Sequence, residues 1–164
     1  MPPRLSTKEA YLRMGKRISV YTVKLVRESA KIYDLETKTV RSPIDAANAF
    51  REVFDTDSLT KEHFLLATLN TKNMIIGMHV IHIGSVNASI CHPREIYQQA
   101  LLNNATSIIA CHNHPSGEVT PSPEDIDITQ RLNEAGKLIG IDLLDHIILG
   151  DDMKFLSLKE KGYV

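Results

Sequence analysis

Ser107 to Leu149 reads SIIACHNHPSGEVTPSPEDIDITQRLNEAGKLIGIDLLDHIIL, and the fold class turns on this stretch. Ser107 to Cys111 is short, apolar and bounded by polar residues, the composition of a strand buried on both faces. A loop with Pro115, Gly117 and Pro121 follows. Ser122 is then placed as an N-cap, Pro123 at the first helical position, and Glu124 and Asp125 in the first turn. The helix so opened is predicted to run to Leu138, with Gly140 ending it. Ile141 to Leu149 reads as a further strand.

The same signals recur outward from this stretch. Ser42 caps a helix predicted to about Phe54, with Pro43 at its first position and Ile44, Ala47, Phe50 and Val53 on one face. Glu62 to Leu69 and Met74 to Ile83 are apolar segments joined by Asn70-Thr71-Lys72-Asn73, which predicts a β-hairpin. Gly84 to Cys91 is a loop or short strand. Pro93 opens a helix to about Asn104 with Ile96, Ala100 and Leu101 as its apolar stripe. Lys154 to Leu156 offers a last strand. Towards the amino terminus, Ile18 to Val26 is rich in β-branched residues and reads as a strand, with a second extended segment over Ala30 to Thr37. Residues 1–17 are polar and helix-capable. Strands and helices alternate around a hairpin, so the class is α/β or α+β with a mixed sheet.

Composition narrows the function classes. The chain has 164 residues, 43% of them hydrophobic and 24% charged, enough for one domain with a real core. No apolar run reaches membrane-spanning length and no signal peptide is legible at Met1-Pro2-Pro3-Arg4, so a cytoplasmic location without membrane contact is expected. Cys91 and Cys111 are too few for a disulfide framework. The net charge of −1 is uneven: residues 1–31 carry eight Lys or Arg and two Glu, a balance of +6. Such an arm can meet phosphate; a solvated terminus is the plainer account.

Chemistry concentrates in His112-Asn113-His114 and Asp125. Residues two apart in an extended segment point to one side, about 7 Å apart along the chain, so His112 and His114 can converge on one ion. Asp125, at the start of the next helix, is the nearest further ligand. Two imidazoles and a carboxylate leave a fourth tetrahedral position for water, the pattern of catalytic zinc. The alternative is that Asp125 is capping charge and that the histidines are surface or core residues. Either account fits the residues alone.

The spacing, His-x-His then seven residues then Ser-x-x-Asp, resembles the JAMM (MPN+) metalloprotease signature. Pro93-Arg94-Glu95-Ile96, Asn104-Ala105, His112 to Gly117, Ser122 to Asp125 and Asp145-His146-Ile147-Ile148 are similar to its RadC-type branch. The resemblance implies an α/β fold, a mixed β-sheet flanked by helices of cytidine-deaminase-like architecture. It divides the chain into a basic extension at 1–40, with one or two strands, and a family domain at 41–164. It implies Zn2+ on His112, His114 and Asp125, with Ser122 stabilising an oxyanion or positioning water. The general acid/base of the family falls best on Glu62, with Glu95 and Glu52 as competitors on predicted helices. The implied activity is a metallopeptidase or isopeptidase acting on a peptide or protein substrate.

The family's traditional label is DNA repair, which keeps a nucleic-acid-binding or nuclease role open beside a non-catalytic scaffold role. Longer RadC-type proteins are expected to carry a helix-hairpin-helix module before this domain, and residues 1–40 show no such hairpin. Zinc nucleoside deaminases need His-x-Glu and Pro-Cys-x-x-Cys, which this chain lacks. His146 reads equally as a group orienting a ligand or as a hydrogen-bonded strand histidine. Cys111 should point away from His112, on the opposite face of its strand. Substrate and oligomeric state are not legible.

Overall fold

The computed structural model describes residues 18–22, 24–35, 38–85 and 91–164. Helix α1 (Pro43–Phe54) begins where the capping signal put it: Ser42 accepts from the Asp45 backbone and the Asp45 side chain returns the bond, with Pro43 first in the helix. A 3-10 turn at Thr56–Ser58 leads to β1 (His63–Leu69) and β2 (Ile75–Ile83), the expected antiparallel hairpin. Its turn is tied by Asn70, whose side-chain oxygen accepts from the amides of Lys72 and Met74 at 2.9 and 3.1 Å. Then come α2 (Pro93–Leu102), β3 (Ser107–Asn113), α3 (Pro123–Ile139), β4 (Asp142–Leu149) and β5 (Phe155–Ser157).

The five strands form one mixed sheet in the order β2-β1-β3-β4-β5. Only β3 and β4 are parallel, bridged by α3; the other neighbours are antiparallel. Alternation along the strands splits the core into two layers. Phe64, Leu66, Ile108 and Ala110 pack with Ile96 and Tyr97 of α2 and Ile128 and Leu132 of α3. Leu65, Ala67, Ile109 and Cys111 pack with Ala46, Ala47 and Phe50 of α1 on the other face. Helices therefore cover both sides of the sheet, and β1 and β3 read as unbroken apolar runs because neither face meets water. Cys111 lies on the α1 face, away from the histidines, as alternation requires.

Several expectations need correction. Among the described residues of Ile18 to Val26 and Ala30 to Thr37 there is no strand, and Val20 is 94% exposed. β-propensity reflects fit to a pleated, half-buried surface, and these residues have no neighbouring ladder to supply one. Among the described residues, extended pairing starts at Thr39, which bridges Met74. Residues 1–17 and most of the loop from Gly84 to Cys91 lie outside the described residues. Within the helices, Ile44 and Leu101 face solvent rather than core; Ala46 and Tyr97 take the buried places, as a repeat of 3.6 residues per turn demands.

Candidate metal centre

Three elements meet at one end of the sheet. β3 runs two residues further than its apolar core, through His112 and Asn113, and the His114 amide donates to the Leu149 carbonyl at 2.8 Å, so the chain is still tethered to β4. Only then does the loop turn. Gly117, at φ 81°, lies where any side chain would run into the Asp151 carboxylate. α3 enters from the other side with Ser122 as its cap. The Asp125 amide donates to Ser122 Oγ at 3.1 Å, and the Ser122 amide donates to Asp125 Oδ2 at 2.7 Å.

Asp125 caps its helix and at the same time lies among side chains that could hold a metal ion. Its Oδ1 stands 3.1 Å from His112 Nε2 and its Oδ2 3.5 Å from His114 Nε2. The two Nε2 atoms are 3.0 Å apart. Glu62, immediately before β1, completes the group: one donor atom from each of Glu62, His112, His114 and Asp125 lies within 4.8 Å of all the others. Glu95 and Glu52 are outside it. Glu52 instead accepts from the Asp34 amide, and Glu95 is exposed at the start of α2. Ser122 sits beside the group with its oxygen held by the helix cap; that bond uses a lone pair and leaves the hydroxyl hydrogen able to donate.

Hydrogen bonds around the two imidazoles determine where their protons lie. Thr129 Oγ1 donates its single hydrogen to the Asp125 carbonyl at 2.5 Å, since a carbonyl only accepts. The same oxygen is 2.6 Å from His146 Nδ1, so that nitrogen carries the hydrogen and donates. His146 is fully buried, and burial followed by the neighbouring His112 pushes its pKa well below the usual imidazole value, so the ring is neutral. Its bare Nε2 therefore accepts from His112 Nδ1–H at 2.8 Å. His114 Nδ1–H likewise donates to the Glu118 carbonyl at 2.7 Å. In the neutral rings both Nε2 atoms are left as lone pairs, pointed at each other and at a carboxylate.

Four acceptor atoms facing one another without a positive charge repel. Two things relieve this: an extra proton on a ring, or a metal cation. The electrostatics agree. Burial works to raise the Asp125 carboxyl, but its hydrogen bonds with His112 and His114 outweigh burial and hold it well below the carboxylate range. The bond to Asp125, against burial, raises the pKa of His114. Two nitrogens on one tetrahedral zinc stand about 3.3 Å apart, close to the spacing of the two Nε2 atoms. The Phe64 ring lies parallel to His112, centroids 6.2 Å apart, and edge-on to His146 at 5.3 Å, closing the back of the group against water.

A family model described as the RadC-like JAB domain matches residues 40–163. The chain belongs to the RadC-like JAB family. Among its relatives, the UPF0758 protein of Geobacillus sp. (strain WCH70) is 58% identical over 125 residues, 76% of this chain and 54% of that protein. The UPF0758 protein YsxA of Bacillus subtilis (strain 168) is 51% identical over 152 residues, 92% of this chain and 64% of its own length. The Bacillus licheniformis UPF0758 protein is 48% identical over 154 residues, 92% of this chain and 67% of the relative. The chain thus spans roughly half to two thirds of these relatives. Their names state no activity. The mixed sheet with helices on both faces and the four-residue group agree with a JAB-type fold carrying a site able to hold a metal ion.

Of the two residues that bond behind His112, Thr129 escapes a reading of the sequence, while His146 was open there between orienting a ligand and a plain strand hydrogen bond. Thr129 follows Asp125 by one helical turn on the same buried face, a position that hydroxyl residues seldom take without a bond to make. His146 comes from β4, whose parallel register puts it opposite Ala110, two residues before His112. Among the described residues, no helix is long and apolar enough to cross a membrane.

Proposed function

We propose that this chain is a zinc-dependent hydrolase of peptide or isopeptide bonds, with the ion held by His112, His114 and Asp125. The reading rests on one observation: two imidazole lone pairs 3.0 Å apart, aimed at a buried carboxylate. A zinc ion there would supply a Lewis acid that polarises a carbonyl and acidifies a water. Everything else falls to the protein. Glu62, close to the ligand atoms yet half-buried, takes the proton of the attacking water and returns it to the leaving nitrogen. The Ser122 hydroxyl donates to the developing oxyanion. His146 and Thr129 hold the His112 ring in one tautomer. Residues 41–164 form the catalytic unit in this reading, and 1–40 a basic extension.

A two-metal nuclease would gather several carboxylates around its ions. Here two imidazoles and two carboxylates share one compact group, a ligand set for a single ion plus a base. A scaffold would have no need for a hydrogen-bond chain four residues long ending at the bare Nε2 of His112.

Metal analysis decides the ligand set. Wild-type protein should hold one zinc per chain, His114→Ala and Asp125→Ala should lose it, and Glu62→Gln should keep it while losing hydrolysis of a peptide or isopeptide library. Zinc retained in full by both ligand variants would overturn the assignment. Full activity in Glu62→Gln would move the base elsewhere.

A further inference from the structure

The ladder between β1 and β3 ends at the pair Phe64 and His112. The next antiparallel pair would be His63 with Asn113, but the β1 ladder stops one residue short, while β3 continues to pair with β4 through Asn113 and Leu149. The Asn113 side chain takes the place of the missing peptide group. Its Oδ1 accepts from the His63 amide at 2.8 Å, and its Nδ2 donates to the Lys61 carbonyl at 3.1 Å. A carboxamide carries the same C=O and N–H as a peptide unit, so it can continue a ladder on both counts. Asn113 is 4% exposed, so its end of both bonds is shielded from water.

Glu62 is the residue between those two anchored backbone groups. A second bond, from the Gly84 amide to the Glu62 carbonyl at 2.8 Å, holds the same peptide from the β2 side. From the structure we infer that Asn113 is a positioning residue for Glu62, fixing the carboxylate relative to the metal ligands. The tripeptide His112-Asn113-His114 thereby does two jobs by alternation. Its odd member points away from the two imidazoles and clamps the segment that carries the base. Ligands and base are thus referenced to the same three residues of backbone. This inference deepens the hydrolase reading and depends on it for the role of Glu62, but the clamp itself does not.

Asn113→Ala removes both bonds; Asn113→Asp keeps an acceptor for the His63 amide but sets a carboxylate against the Lys61 carbonyl. Three measurements on the zinc-loaded full chain separate positioning from general stability. Hydrogen exchange at the His63 amide should be about fivefold faster or more in Asn113→Ala, while the Leu65 and Ala67 amides keep wild-type protection. The displacement of the Glu62 carboxyl carbon resonance on zinc loading should be largely lost in Asn113→Ala, with zinc stoichiometry unchanged. Hydrolysis should fall chiefly in kcat. Wild-type His63 protection, or zinc loss that accounts for the whole defect, overturns the inference. If wild-type protein hydrolyses nothing, the functional reading fails, whereas exchange and carboxyl resonance still decide the clamp.

Discussion

His146 never touches the proposed ion, yet it determines which nitrogen of His112 can. Replacing it with Ala removes the acceptor for the buried His112 Nδ1–H. Losing a partner of this kind typically lowers metal affinity about 10–100-fold. A competitive chelator titration of His146→Ala should therefore show weaker zinc binding at unchanged stoichiometry, and affinity equal to wild type would remove His146 from the centre. The proton and the ion also compete at His114. Its pKa is raised, chiefly by the bond to Asp125, so the charged ring persists above the ordinary 6.5. In the metal-free chain this pair contributes stability below the ordinary imidazole value, and loses it as pH rises through the raised pKa. Asp125, with a lowered pKa, loses its share only in strong acid. Zinc needs the neutral ring, so its affinity should climb over the same interval in which the metal-free melting temperature falls. Calorimetry of metal-free and zinc-loaded protein across that interval tests the sign; parallel curves would contradict it.

At the scale of elements, α3 is fastened to the centre by its own first turn. Ser122→Ala removes the cap acceptor for the Asp125 amide and loosens the first turn of α3. Loss of such a cap costs about 1 kcal/mol, near 2–4 °C in a protein of this size. The expected outcome is a modest fall in melting temperature with zinc retained but bound more weakly, because the first turn that carries Asp125 loosens, although the backbone amide at 122 still holds Asp125 Oδ2. Zinc affinity identical to wild type would show that the cap and the ligand geometry are independent. The other ends of α1 and α3 show how much of this was readable beforehand. Ser42-Pro43, Ser122-Pro123 and Gly140, at φ 81°, mark helix ends through bonds spanning three or four residues, so a one-dimensional reading finds them. Ile18 to Val26 carries an equally strong strand composition, and its described residues form no strand. Its missing requirement is a neighbour, which lies elsewhere in the chain.

The whole molecule behaves as a two-layer core stitched together at one edge by the candidate centre. β1, β3, β4 and α3 each supply a side chain there: Glu62 just before β1, His112 and His114 around the end of β3, His146 on β4, Asp125 and Thr129 on α3. A cation bound only by the folded chain stabilises it by about 2.7 kcal/mol at a hundredfold excess over Kd. Zinc should accordingly raise the melting temperature of wild type in a concentration-dependent way and leave Asp125→Ala unmoved; an equal shift in both would mean that the ion binds elsewhere. By itself the amino-acid sequence determined the hairpin, the helix starts and stops, and the His-x-His to Asp spacing, because each follows from bonds and alternation within a few residues. The resemblance already favoured Glu62 and pointed to His146; tertiary structure decided the strand order, the meeting of Glu62 with His112, His114 and Asp125 while Glu52 and Glu95 lie outside that group, the bond between Thr129 and His146, and the contact of Asn113 with the segment before β1. Those depend on which distant segments lie side by side, and that is set by burying both faces of one sheet.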